Sequence, residues 1–130
     1  MTRLPYAVAF VVALSLAACG SSPASPSATA TAGTDTWSTT VYPGGYISRT
    51  FTASTAGTVT VTLAQSGAPV GFGIGAPASI GAGCLVSSGR VDGQGATLSA
   101  QVDQGDYCVS IYDTGTLTAP LGLLVQIAHP

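Results

Sequence analysis

Charge is what this sequence has least of. Only 6% of its 130 residues are Asp, Glu, Lys or Arg. Lysine and glutamate are absent, and the charged set is three Arg and five Asp, with a single His beside them. So few cations exclude nucleic-acid binding, because holding a phosphate backbone requires many Lys or Arg to displace its counterions. One His and no Glu leave general acid–base chemistry almost without candidates. A Ser nucleophile finds no Gly-x-Ser-x-Gly elbow, and His129 reads as a polar strand terminus. The glycines at Gly71, Gly73 and Gly75, and at Gly81 and Gly83, lack the Lys and the following helix of a phosphate loop. They read instead as close backbone approaches or bulges. No apolar run reaches the ~20 residues of a membrane span. With 46% hydrophobic residues the chain is not a disordered acidic or basic tail either. Its length allows one small domain.

What is present begins with an address. Arg3 and the start amine form a short charged region, and Tyr6 to Leu16 runs apolar and uncharged. The run ends in Leu16-Ala17-Ala18-Cys19 followed by Gly20, small residues placed before a thiol. This stretch resembles the lipobox of bacterial lipoproteins. The resemblance implies a signal peptide over 1–18, removal of that peptide, and acylation of Cys19 with a diacylglycerol and often a further acyl chain. Two or three chains give stable anchoring where one does not. Gly20 lacks the Asp that, in that family, retains many members at an inner membrane. The expected location is therefore the cell envelope: the outer membrane if the cell has one, otherwise the outer face of the plasma membrane. Loss of Arg3 with the signal leaves two Arg against five Asp, a net charge near −3.

From Cys19 to Asp35 no large apolar side chain occurs, and Ser, Thr, Ala and Pro dominate. Residues 19–35 are expected to be a disordered linker with a typical reach of about 20 Å and at most about 50 Å.

From Thr36 onward the period is two, and 36–130 reads as a single domain. Thr58 to Leu63 alternates Thr with aliphatic residues, which puts Val59, Val61 and Leu63 on a core face. Tyr46 to Ala53 places Ile47, Phe51 and Ala53 on one face. Arg49 shares that parity, so it is expected near a strand end or edge. Val70 to Ala76 sets apolar residues against glycines. Ala96 to Val102, Asp106 to Tyr112 and Leu121 to Ile127 alternate again, with Asp103-Gln104-Gly105 as a turn. No helical stripe appears outside the signal. The expected fold is all-β, a small antiparallel, jelly-roll-like β-sandwich.

So small a core calls for a staple. With Cys19 consumed by lipid, Cys84 and Cys108 remain as an even pair in an oxidising compartment, and a disulfide between them is expected. Closing a loop of about 25 residues stabilises by roughly 3.5 kcal/mol on the chain-entropy account. Cys84, in the Gly-rich connection, would then tie a loose segment to the sheet. A metal or redox pair is the alternative, and two Cys this far apart without His or further thiols argue against it.

The strand Gly57–Leu63, with Gly105 to Asp113, Thr114-Gly115 and a last strand ending Gln126 to Pro130, resembles the bacterial pre-peptidase C-terminal domain. The resemblance spans about Trp37 to Pro130. It implies a small β-sandwich accessory module, non-catalytic, implicated in substrate or surface binding, secretion or solubility. No peptidase is expected beside this domain, which departs from the family pattern, and Val70 to Ala76 lacks the acidic residues often found there. A calcium role therefore does not carry over. Asp103 and Asp106 flank one turn, yet no Asp-x-Asp-x-Asp-Gly pattern exists and turns favour Asp without any metal. No metal and no cofactor are expected.

Trp37, Tyr42 and Tyr46 crowd the start of the domain and are the candidate ligand-binding aromatics. They either form an exposed platform for a glycan or a protein, or cap an open end of the core. Two functional classes follow. One is a lipid-anchored envelope accessory or binding module without catalysis, whose partners are the bilayer through acylated Cys19 and an envelope protein or glycan. The other is an accessory subunit of a secreted peptidase or glycan-directed hydrolase, or such a hydrolase itself. The scarcity of ionisable side chains favours the first.

Overall fold

The computed structural model describes residues 32–81 and 83–130. The expected signal peptide, Cys19 and the expected linker up to residue 31 lie outside the described residues.

Eight strands follow in order: β1 (Gly33–Val41), β2 (Tyr46–Ala53), β3 (Gly57–Ser66), β4 (Val70–Pro77), β5 (Cys84–Asp92), β6 (Thr97–Val102), β7 (Gly105–Tyr112) and β8 (Leu121–His129). They form two four-stranded sheets, β1-β8-β3-β6 and β2-β7-β4-β5. Every pairing is antiparallel. The chain changes sheet at each connection except the β4–β5 hairpin and so builds an eight-stranded jelly roll. The expected fold class is thus the observed one.

Alternation decides which side chains meet between the sheets. Trp37, Val41, Val59, Val61, Leu63, Leu123, Val125 and Ile127 point inward from the first sheet. Phe51, Val70, Phe72, Ile74, Val109 and Ile111 meet them from the second. Burying each large aliphatic or aromatic side chain contributes about 1.5–3 kcal/mol. The outer face of the first sheet carries the threonines, tied across strands by Gln101 Nε2 donating to Thr58 Oγ1 at 2.7 Å and by the Thr60–Ser99 hydroxyl pair at 2.9 Å.

Three expectations need correction. The first sheet starts at Gly33, three residues before the expected boundary, because Gly33, Thr34 and Asp35 pair with His129, Ala128 and Ile127 of the last strand. Backbone pairing orders a stretch whose side chains alone could not. Second, Cys84 does not lie in a loose connection: it opens β5, a strand without visible alternation. Ile74 pairs with Ser88 and Gly75 with Val86, so Ser87 is an extra residue bulging out of the ladder. The bulge puts Val86 and Val91 on the same face despite their odd spacing. Third, Trp37 leaves the candidate ligand-binding set: of its two alternatives the core one holds, with only 9% of it exposed. Its place on β1 shares the inward parity of Val41.

The disulfide joins Cys84 of β5 to Cys108 of β7, with Cα atoms 5.8 Å apart. The bond spans β4, whose Gly75 pairs with Cys108 on one side and Val86 on the other. A side chain at 75 would run into the Leu85 carbonyl, which is why glycine stands where β5 closes over β4.

At the open flanks two arginines guard the edges. Arg49 sits on edge strand β2, as its parity predicts. Arg90 on edge strand β5 donates to the Thr97 carbonyl of β6 at 2.9 Å and pairs with Asp92. The Gly93 amide, followed by Arg90, holds the Asp92 carboxyl below its ordinary value against the smaller cost of desolvation.

Candidate functional site

The antiparallel register sorts the connections into two ends. The chain enters at Gly33 beside His129, and the β2–β3 turn lies there too, Ser54 N donating to the Pro130 carbonyl at 2.9 Å. The β1–β2 and β7–β8 loops gather at the opposite end. Tyr42-Pro43-Gly44-Gly45 fits a type II turn, with Gly45 N bonded to the Tyr42 carbonyl at 2.9 Å and Gly44 at φ 70°. The positive φ at the third position requires glycine, and Pro suits the second.

Asp113 fastens these two loops together. One carboxylate oxygen accepts the Gly44 amide at 2.8 Å, and the other accepts the amides of Gly115, Thr116 and Leu117 at 2.9, 3.0 and 3.1 Å. These amides, Gly44's first, hold the Asp113 carboxyl below its ordinary value despite partial desolvation.

The fastening fixes what stands beside it. Tyr46 opens β2 and pairs directly with Tyr112, the last residue of β7. Tyr112 in turn pairs with Gly71 of β4. The outward-facing Gly71 leaves a gap there that the Tyr112 ring fills, while over Gly73 Val86 and the Ser88 carbonyl of β5 close in. The ring's Cδ2, Cε2 and Cζ atoms stand where a Cβ on Gly71 would have to be, and its hydroxyl reaches to 3.5 Å from the position of a Cβ on Gly89 in β5. A side chain rooted on β7 that crosses β4 to reach β5 lies along the sheet, whereas strand side chains ordinarily stand away from it. Tyr46, beside it, is 68% exposed. The result is an aromatic platform laid on a glycine floor on the outer face of the second sheet. Val86 and Val91, 40% and 54% exposed, border it on β5.

Of the aromatics marked in the sequence, the structure brings Tyr46 to this platform. It leaves Tyr42, 63% exposed, on the adjoining turn and removes Trp37 to the core. Tyr112 was missed. The glycines that receive it were visible only as a row, and the pairing of β7 with β4 is not written in either strand.

The remaining candidates are occupied structurally. Asp106 accepts the Thr52 hydroxyl at 2.7 Å. The backbone N–H and carbonyl of Asp103 both bond the Tyr107 hydroxyl, at 3.1 and 3.0 Å. His129 stacks on Phe51 with ring centroids 5.5 Å apart, its Nε2 lies 3.6 Å from an Asp35 oxygen, and its Nδ1 is buried without a partner. Neither ring nitrogen reaches a hydroxyl, as a Ser–His pair requires. Among the described residues no group of three His, Cys, Asp or Glu is spaced to hold a metal ion.

A shallow groove of about 450 Å³ opens on the other sheet, between Ser38, Thr40, Gln65, Gly122 and Leu124. Its lining holds hydroxyls and one amide but no aromatic face and no charge, so nothing in it selects a ligand. The platform is the stronger site on chemistry, not on volume.

Compared with known proteins, the chain matches no family model and no curated protein.

Proposed function

We propose that this protein is a lipid-anchored accessory or binding module of the cell envelope, without catalytic activity of its own. Acylated Cys19 holds it to a bilayer, the outer membrane where one exists, and the linker carries the jelly roll above the surface. The Tyr46–Tyr112 platform is its ligand-binding face. One observation carries this reading: two adjacent tyrosines, one of them laid across a glycine floor, are presented at the end of the sandwich opposite Gly33, where the tether joins. A tethered binder needs its contact surface there. The likeness of the strand pattern to pre-peptidase C-terminal domains points the same way, toward an accessory role.

The test is sedimentation with isolated envelope particles. Detergent-solubilised mature protein should pellet with them at high as well as low salt, because few ion pairs are available to be screened. Tyr46→Ala should reduce the pelleted fraction, and Asp103→Ala should leave it unchanged. Equal retention of Tyr46→Ala and the parent would overturn the assignment of the face. Reproducible turnover of a peptide, ester or glycan that disappears in His129→Ala would put a hydrolase in place of a binding module.

A further inference from the structure

Building on the reading of the Tyr46–Tyr112 platform as the ligand-binding face, we infer that its ligand is an uncharged glycan, with a pyranose ring stacked on Tyr112 and the chain continuing over Tyr46. Three features of the face lead there. Tyr112, half-buried, lies along the sheet over Gly71 and reaches toward Gly89 instead of standing away from the strands. The electron-rich face of an aromatic ring attracts the polarised C–H bonds on the apolar side of a sugar ring, and flat contact maximises the area covered. Glycine at 71 makes this posture available, since a side chain there would displace the ring, and Gly89 leaves room for its hydroxyl.

Hydroxyls stand along one border. Ser48 and Thr50 follow Tyr46 on the outward side of edge strand β2, half-buried and exposed respectively. They donate and accept equally well, as the hydroxyls of a neutral sugar require.

Charge is missing where a charged ligand would need it. On the outer face of the second sheet the ionisable groups besides the tyrosines reduce to Asp106, at the far end of β7 and already bonded to Thr52, and beside the platform the Asp113 carboxylate is taken up by four backbone amides. Arg49 shares the inward parity of Phe51, and Arg90 is engaged with Asp92 and the Thr97 carbonyl. A uronate or sulfated glycan finds no cation there, and a basic peptide finds no anionic cluster. A proline-rich peptide seats its prolines in slots between upright aromatic rings, and a ring lying along the sheet offers a platform instead of a slot.

The experiment is affinity electrophoresis of the detergent-solubilised mature protein through gels containing a cello-oligosaccharide, a chitooligosaccharide, an oligogalacturonate or a proline-rich peptide, each also used to compete with envelope particles. At least one neutral oligosaccharide should retard the protein and release it from the particles. Its affinity should change less than about twofold between ~0.05 M and ~0.5 M NaCl. Tyr46→Ala should weaken it about fivefold, the range of an aromatic contact. Gly71→Ala, which alters no ligand-contacting atom but displaces the Tyr112 ring, should weaken it at least as much. Preference for the oligogalacturonate or the peptide would overturn the neutral-glycan inference. So would failure of both neutral sugars while particle retention still depends on Tyr46, and in either case the binding-module reading stands. Retention that does not depend on Tyr46 would overturn that reading itself.

Discussion

Tyr112 occupies the place of a side chain at Gly71. Three of its ring atoms stand where a Cβ at 71 would be built, so the two positions cannot be varied independently. Because the obstacle is a side chain and not backbone, Gly71→Ala should fold. The ring swings outward at a stability cost of about 1–2 kcal/mol, the lower part of the range for overpacking. The near-ultraviolet circular dichroism of tyrosine should change while the far-ultraviolet strand signal does not. An unchanged near-ultraviolet spectrum would mean that Tyr112 is not held against the sheet.

Gly75 gives the opposite case. The atom that a Cβ would meet there is the Leu85 carbonyl oxygen, and β5 is pinned at that point by the Cys84–Cys108 bond. Backbone on both sides leaves no room for relaxation, so Gly75→Ala should cost about 3 kcal/mol, the upper end for overpacking. It should also leave a fraction of molecules with free thiols. Denaturant melts and thiol titration of the purified variant check both outcomes.

The disulfide itself closes a loop of 24 positions. Its removal in Cys84→Ser, Cys108→Ser should lower stability by roughly 3–4 kcal/mol. Amide exchange should rise first at the start of β5, which lacks a strand neighbour on its outer side. A double variant as stable as the parent would mean that edge pairing with β4 alone holds β5.

Asp113 makes the distal loops sensitive to acid. Its folded pKa is depressed, chiefly by the Gly44 amide, so its contribution is fully present above the ordinary carboxylate value. It is lost as pH falls through the lower folded value. As pH falls below the ordinary carboxylate value of about 4, the Gly44, Gly115 and Thr116 amides should lose exchange protection before the core strands do. Asp113→Asn, which keeps the shape but not the charge, should abolish this pH dependence and loosen the Tyr42–Gly45 turn at neutral pH. Protection that stays flat as pH falls would remove Asp113 as the fastener.

Much of this was legible in the sequence, and the failures have physical causes. β3 announced itself because Thr and aliphatic residues alternate from Thr58 to Leu63 without interruption, and Val59, Val61 and Leu63 are indeed fully buried. β5 stayed hidden because the extra Ser87 breaks its period in the middle. The Cys84–Cys108 bond followed from counting the thiols left once Cys19 was assigned to lipid and an oxidising compartment was expected, but its route over Gly75 depends on a sheet order that no local pattern states. The platform was half legible. Tyr46 was marked by composition, whereas Tyr112 acquires its posture from a glycine on another strand.

Trp37 and Tyr46 were grouped by their nearness along the chain, and the structure separates them by parity. Trp37 points between the sheets and Tyr46 points to solvent, so their substitutions should report different quantities. Trp37→Ala empties core volume beside Val125 of the paired strand and should cost about 3–5 kcal/mol. Such a loss approaches the whole stability of a small domain, so Trp37→Phe serves as the milder companion, lowering the melting temperature without altering the affinity of the molecules that remain folded. Tyr46→Ala removes an exposed ring and should move stability by no more than about 0.5 kcal/mol, yet it should weaken retention on envelope particles. Melting temperature and retention measured on the same preparations separate the two roles. A Tyr46→Ala variant that melts several degrees lower and binds as the parent does would make Tyr46 a cap on the fold, and the ligand-binding face would have to lie elsewhere.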